Sequence, residues 1–105
     1  MVANPEQGEL WWAEAEDRRR PVLIVTPTQV VPVLTRIVGP PVTRTIRNIP
    51  SEVPLGPEDG LHDECVASFD SIQPIAKSYL VSRIGPATEA RRKAMCQAMA
   101  AMSDR

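Results

Sequence analysis

Residues 18–28 read RRRPVLIVTPT. At its centre, Val22-Leu23-Ile24-Val25 is an unbroken run of branched apolar residues, which suits a strand covered on both faces rather than one half-open to water. Pro21 is expected at the start of that strand, where a missing N–H breaks no ladder bond. Three arginines stand immediately before it, so the densest positive charge in the chain lies on the rim of the core. That charge either serves a partner outside the core or marks no more than a solvated turn.

Working outward, eleven prolines and five glycines exclude long helices before residue 85. Residues 8–13 (GELWWA) read as a strand with Trp11 and Trp12 on opposite faces, residues 14–20 as a loop, and residues 21–26 as the buried strand. Thr26 to Val31 is expected to make a helical turn, with Thr26 as cap and Pro27 at the first position. Residues 36–43 resume strand character with an interruption at Pro40-Pro41. Further short strands are expected at 51–55, 64–69, 71–75 and 79–84, with a turn at 56–60. After Gly85-Pro86 the composition changes to TEARRKAMCQAMAAM, which is helical. Its broad apolar face, made of Ala87, Ala90, Ala94, Met95, Ala98, Met99, Ala101 and Met102, is expected to seal the sheet. Arg91 intrudes on that face and must pair or snorkel. The expected fold is mainly β with a C-terminal α-helix, a strongly curved sheet or small barrel.

At 105 residues the chain is expected to form a single domain, 1–105, around one core. No apolar run approaches the roughly 18 residues of a membrane span, and the first eight residues lack the pattern of a secretory signal. A soluble, cytoplasmic protein is expected. Cys65 and Cys96 fit neither a disulfide framework nor a CxxC motif and are read as reduced. The net charge of -1 conceals an uneven arrangement: residues 18–51 hold six arginines and no Asp or Glu. Such a one-signed stretch is a local field suited to phosphates.

The stretches GELWWA at 8, RRPVLIVT at 19, GPPVTRTIRNIPSEVPL at 39, GLHDECVASFDSI at 60 and VSRIG at 81, in that order and followed by the helix, resemble the MazF/PemK family of toxin endoribonucleases. The likeness covers nearly the whole chain and is strongest to the compact actinobacterial branch. It implies an SH3-like small barrel, the MazF/PemK/CcdB toxin fold, assembled as a homodimer. It implies the toxin component of a type II toxin-antitoxin system, a sequence-specific endoribonuclease that inhibits translation and growth. Cleavage of single-stranded RNA would need no metal or other cofactor, and a cognate MazE-like antitoxin would silence it. The family's catalytic positions fall on Arg20 and Thr43. Two stretches depart from the pattern: the short EAEDRR between the first two strands, and TPTQVVPVLTR at 26–36.

The residues suit that chemistry. The 2′-hydroxyl of RNA can attack the adjacent phosphorus, leaving a 2′,3′-cyclic phosphate and a 5′-hydroxyl end, provided that charge building on the non-bridging oxygens is stabilised. A planar guanidinium at Arg20 can donate two hydrogen bonds to those oxygens, with Thr43, or Thr45 in its place, donating to the same phosphate. With a pKa above about 12, the guanidinium is a poor base near neutrality, so its expected role is electrostatic. Arg18, Arg19, Arg44 and Arg47 are read as flanking phosphate contacts, and Trp12 as either a base-stacking platform or part of a dimer interface. His62 is read as a solvated loop residue. The run His62-Asp63-Glu64-Cys65 is not read as a metal site, because consecutive residues of an extended chain point alternately to opposite sides. Two alternatives use the same barrel: a CcdB-like gyrase poison, which would need aromatic residues where this chain ends AAMSDR, and a non-catalytic SH3-like module binding nucleic acid or peptide, which would need a richer aromatic groove than Trp11, Trp12, Phe69 and Tyr79 supply.

Overall fold

The computed structural model describes residues 4–15 and 18–103. Among these residues, eight strands precede one α-helix: β1 (Leu10–Ala15), β2 (Arg18–Leu23), β3 (Arg36–Gly39), β4 (Val42–Thr43), β5 (Glu52–Leu55), β6 (Cys65–Ser68), β7 (Gln73–Ala76), β8 (Leu80–Gly85) and α1 (Glu89–Ser103). They pair antiparallel in three small sheets, ordered β2-β1-β8, β3-β7 and β4-β6-β5. Contacts between the sheets curl them into a barrel: Val22 bridges Pro41, and the Val25 N–H donates to the Val38 carbonyl at 3.0 Å. Gly39 permits the closure, because a Cβ there would run into the Leu23 carbonyl oxygen and the Val22 side chain.

The run at 22–25 is covered on both sides. Leu23 belongs to one core cluster, with Leu10, Val53, Leu55, Phe69 and Met95. Val22 and Ile24 belong to a second, with Val31, Ile37 and Leu80. Alternation along the chain thus divides one apolar stretch between two packing layers, and each fully buried side chain contributes roughly 1.5–3 kcal/mol.

Several expectations are corrected. Of the residues expected as a loop, 14–15 and 18–20 are strand: β1 runs on to Ala15 and β2 begins at Arg18, with Glu14 in register opposite Arg19, a cross-strand pair of opposite charge that favours the ladder; residues 16–17 lie outside the described residues. Pro21 is therefore the fourth residue of β2 rather than its first, tolerated because β2 is the edge of its sheet. A hydrogen-bonded turn forms at Pro27–Val30, the Val30 N–H donating to the Pro27 carbonyl at 3.1 Å, and the 3-10 helical turn follows at Val31–Val33; the Thr26 hydroxyl accepts the Val38 N–H at 2.7 Å, so it does not cap the turn. The strand at 36–43 divides at Pro40-Pro41 into β3 and β4.

The helix packs on β5 and the turn at Phe69–Ser71 through a narrower stripe than its sequence suggests. Met95 and Ala98 are buried, and Ala94 and Met102 pack against them, but Ala90 is exposed and Met99 is 43% exposed. Arg91 occupies the rest of the stripe. It donates from Nη1 to the carbonyls of Gly8 (2.9 Å) and Pro86 (2.6 Å) and from Nη2 to Asp59 Oδ1 at 2.6 Å, tying the helix to the barrel. Its Nε has no partner among the described residues. Cys65 is buried, Cys96 is exposed, and both are free thiols. Among the described residues no helix is long and apolar enough to cross a membrane.

Candidate nucleic-acid interface

Extension of the β1–β2 hairpin to Ala15 and Arg18 decides which way its arginines point. Trp12 lies opposite Pro21 and Glu14 opposite Arg19, so Trp12, Arg19 and Pro21 share one face of the ribbon while Ala13, Arg18 and Arg20 share the other. The Arg19 guanidinium stacks over the Trp12 ring, 4.8 Å from its centroid, within cation–π range.

Beside this hairpin an open groove of about 490 Å³ runs between β2, the end of β4 and the loop that leads into β6. Trp12, Arg19 and Arg20 form one wall, Thr43, Arg44 and Thr45 a second, and His62 and Asp63 a third. The second and third walls adjoin because β4 pairs with β6, Thr43 lying opposite Val66. Thr43 Oγ1 accepts the Thr45 N–H at 3.2 Å, which steadies the hydroxyl and leaves its own proton to donate.

Six of the eight site residues expected from sequence therefore converge: Arg20, Thr43, Trp12, Arg19, Arg44 and Thr45 all line the groove. Trp12 is half-buried against it with Arg19 on its ring. Arg18 and Arg47 do not join them. Arg18 lines a second cavity on the opposite side of β2, and Arg20, which shares its face, lines both that cavity and the groove. Arg47 lies in the exposed segment after β4, where its backbone N–H donates to the Glu52 carboxylate at 3.1 and 3.2 Å.

Sequence reasoning did not place His62 and Asp63 in this groove. The signal for them was the loop GLHDE standing directly before the strand that pairs with β4. Asp63 brings an acid into a site whose arginines come from an acid-free stretch, and it accepts a hydrogen bond from Arg44 Nη1 at 3.3 Å, an exposed pair that stabilises little. The His62 side chain is 98% exposed, with Nδ1 3.7 Å from Asp63 Oδ1, too far for a hydrogen bond to fix the ring. Cys65 completes the floor near Leu61 and Val42; burial, reinforced by the negative charges of Asp59 and Asp63, pushes its thiol up, so it is a poor nucleophile. No group of three or more His, Cys, Asp and Glu among the described residues is arranged to hold a metal ion.

The side chains of Arg18, Arg20 and Arg36 have no hydrogen-bond or ion-pair partner among the described residues. An exposed guanidinium without a protein partner on a groove wall is a fork available to a phosphate.

A family model described as "PemK-like, MazF-like toxin of type II toxin-antitoxin system" matches residues 6–103. The chain is 38% identical over 101 residues to the "Probable endoribonuclease MazF5" of Mycobacterium tuberculosis (strain ATCC 25618 / H37Rv), covering 94% of this chain and 93% of that protein. Among solved structures it is similar to the "Mycobacterium tuberculosis toxin MazF-mt6", with a TM-score of 0.82, 33% identity and coverage of 90% and 96% of the two chains. It is also similar to an "Endoribonuclease in complex with its cognate antitoxin from Mycobacterial species", with a TM-score of 0.80, 28% identity and coverage of 94% and 95%.

Proposed function

The chain belongs to the family of PemK-like, MazF-like toxins of type II toxin-antitoxin systems, and from that premise we propose that it cleaves single-stranded RNA in the groove between β2 and β4. It is a toxin endoribonuclease of the MazF type. The observation that carries the assignment of the site is the convergence of Arg20 and Thr43 on one open groove, with Arg20 free of partners among the described residues.

The steps follow from the groups present. A phosphodiester enters beside Arg20, whose guanidinium donates two hydrogen bonds to the non-bridging oxygens. The ribose 2′-hydroxyl gives up its proton to water as its oxygen bonds to phosphorus, the bond to the 5′-oxygen of the next nucleotide breaks, and that oxygen takes a proton from water, giving a cyclic phosphate and a 5′-hydroxyl. Negative charge on the equatorial oxygens is greatest in the transition state, so the Arg20 fork and the Thr43 hydroxyl stabilise it more than they stabilise the bound substrate. Arg19 and Arg44 hold neighbouring phosphates, and the Trp12 ring, backed by Arg19, stacks a base. No step requires a metal ion.

The working form is a homodimer in the cytoplasm, where its RNA substrates lie. Its inhibitor is an antitoxin whose acidic, disordered segment orders across the basic groove and excludes RNA. Only the pairing with a cognate antitoxin is carried over from the name of the mycobacterial relative; the acidic segment is inferred from the basic groove.

The test is cleavage in EDTA of a mixed-sequence RNA and of the same RNA carrying 2′-deoxy substitutions. Cuts only where a 2′-hydroxyl precedes the break, with cyclic phosphate ends, and loss of cutting in both Arg20→Ala and Thr43→Ala, are expected. Cutting at 2′-deoxy positions would refute the attack by the 2′-hydroxyl, and a fully active Arg20→Ala would remove the site.

A further inference from the structure

Arg20 and Pro21 line two cavities, not one. The second, about 410 Å³, lies across β2 from the first, between the hairpin and the β3–β7 pair, and its size is that of small-ligand sites. Arg18, Arg36, Gln73 and Tyr79 present its polar groups. With Arg20 that makes three guanidinium groups without a partner among the described residues, and no described Asp or Glu lines the cavity. In this it differs from the first groove, where Asp63 takes part of the charge of Arg44.

The aromatic residue here is held firmly. Tyr79 ends the 3-10 turn Lys77–Tyr79, whose Lys77 is buried and donates from Nζ to the Val31 carbonyl at 2.8 Å, while its backbone N–H donates to the Thr35 carbonyl at 3.0 Å. That tether fixes the turn, yet Tyr79 itself remains 44% exposed. A ring presented on an anchored turn, an exposed amide at Gln73 and cations with no carboxylate to neutralise them are the components that bind a single-stranded nucleotide by stacking, edge recognition and phosphate contact.

We propose that this second cavity is a nucleotide subsite. It holds the nucleotide that adjoins, across the phosphate at Arg20, the one in the first groove. Tyr79 stacks on its base, Gln73 reads a base edge, and Arg18 and Arg36 hold flanking phosphate. The proposal rests on the reading of Arg20 as the group that binds the scissile phosphate. Its physical basis is that Arg20 lines both cavities, so a phosphate held there has one cavity on each side of it for its two neighbouring nucleotides. The RRR triplet then has a divided use: Arg19 serves one side of β2, Arg18 the other, and Arg20 the phosphate between them.

The experiment sequences the cut ends of a randomised RNA pool treated with wild type, Gln73→Ala, Tyr79→Ala, Tyr79→Phe and Arg20→Ala, alongside binding of an uncleavable 2′-deoxy oligonucleotide and sedimentation of each variant. Gln73→Ala and Tyr79→Ala should flatten the base preference at one position on a single side of the cut, and Tyr79→Ala should weaken oligonucleotide binding about tenfold. Tyr79→Phe, which keeps the ring, should retain both. The subsite is overturned if the preference at every position survives Gln73→Ala and Tyr79→Ala. It is equally overturned if their effect is confined to the oligomeric state or to capture of an acidic antitoxin peptide. Gln73 is exposed, so its variant remains informative should Tyr79→Ala fold poorly. An Arg20→Ala variant that cuts like wild type would instead sink the catalytic reading, and an inactive one beside unchanged Gln73 and Tyr79 profiles would sink the subsite alone.

Discussion

Arg91 and Arg20 are the same side chain put to opposite uses. Arg91 lies under the helix with 4% of its side chain exposed and donates to two backbone carbonyls and to Asp59. Arg20 stands on the rim of the barrel with no side-chain partner among the described residues. A charge taken out of water must be paired, and its hydrogen bonds are then committed to the fold. A charge left at the edge of the core keeps its hydrogen bonds for whatever enters the groove. The difference teaches that positive charge in this chain divides by burial into a structural set and a substrate-facing set, and that substitutions should separate the two.

The largest effect expected is at the buried end. Arg91→Ala leaves Asp59 Oδ1 and two carbonyls unpaired and should lower stability by about 3–5 kcal/mol, read as a fall in the urea midpoint; an unchanged midpoint would break the comparison at its structural arm. Arg44→Ala, on an exposed groove wall, should alter stability by less than about 0.5 kcal/mol while lowering the salt slope of RNA binding by about 0.7. A salt slope equal to that of wild type would exclude Arg44 from phosphate contact.

A smaller effect concerns acid stability. Burial works to raise the Glu9 carboxyl, but hydrogen bonds from the Glu6 N–H, the Trp11 indole and Arg83, with the charge of Arg83, outweigh it and hold the group below its ordinary value. The stabilisation from Glu9 is thus fully present above about pH 4.3, its unfolded value, and is lost as pH falls through the lower folded value. Glu9→Gln should flatten the decline of stability in that acid window, measured by urea unfolding at stepped pH, and a decline as steep as wild type would show that other carboxylates carry it. The smallest effect is expected at His62, whose ring is unrestrained: His62→Ala should keep the cleavage rate within about threefold, far short of the roughly 10²–10⁴-fold contribution of a general acid or base. A larger loss would make it the proton-transfer group of the groove.

Much of this was legible in the sequence for local reasons. Branched residues at 22–25 mark a strand covered on both sides, the composition after Pro86 marks the helix, and an arginine on the helix's apolar face demands a partner, which proved to be Asp59. What depended on pairing was hidden. Reading 14–20 as a loop concealed that Arg18 and Arg20 share a face which Arg19 does not, since only a continued ladder sets that alternation. His62 and Asp63 reach the groove through the pairing of β4 with β6, across about twenty residues of chain that no local pattern bridges. Met99 looked like core because helical periodicity defines a face, whereas the width of the packed stripe is set by the surface beneath, here β5 and one turn.

The most direct test of the account sets function against fold at one residue: single-turnover RNA cleavage and urea unfolding of Arg20→Ala beside wild type. The account predicts a cleavage rate lower by about 10²–10³-fold, the cost of removing one transition-state donor, with an unchanged unfolding midpoint. A rate equal to wild type, or a midpoint that falls as far as in Arg91→Ala, would contradict the claim that this arginine serves the substrate rather than the barrel.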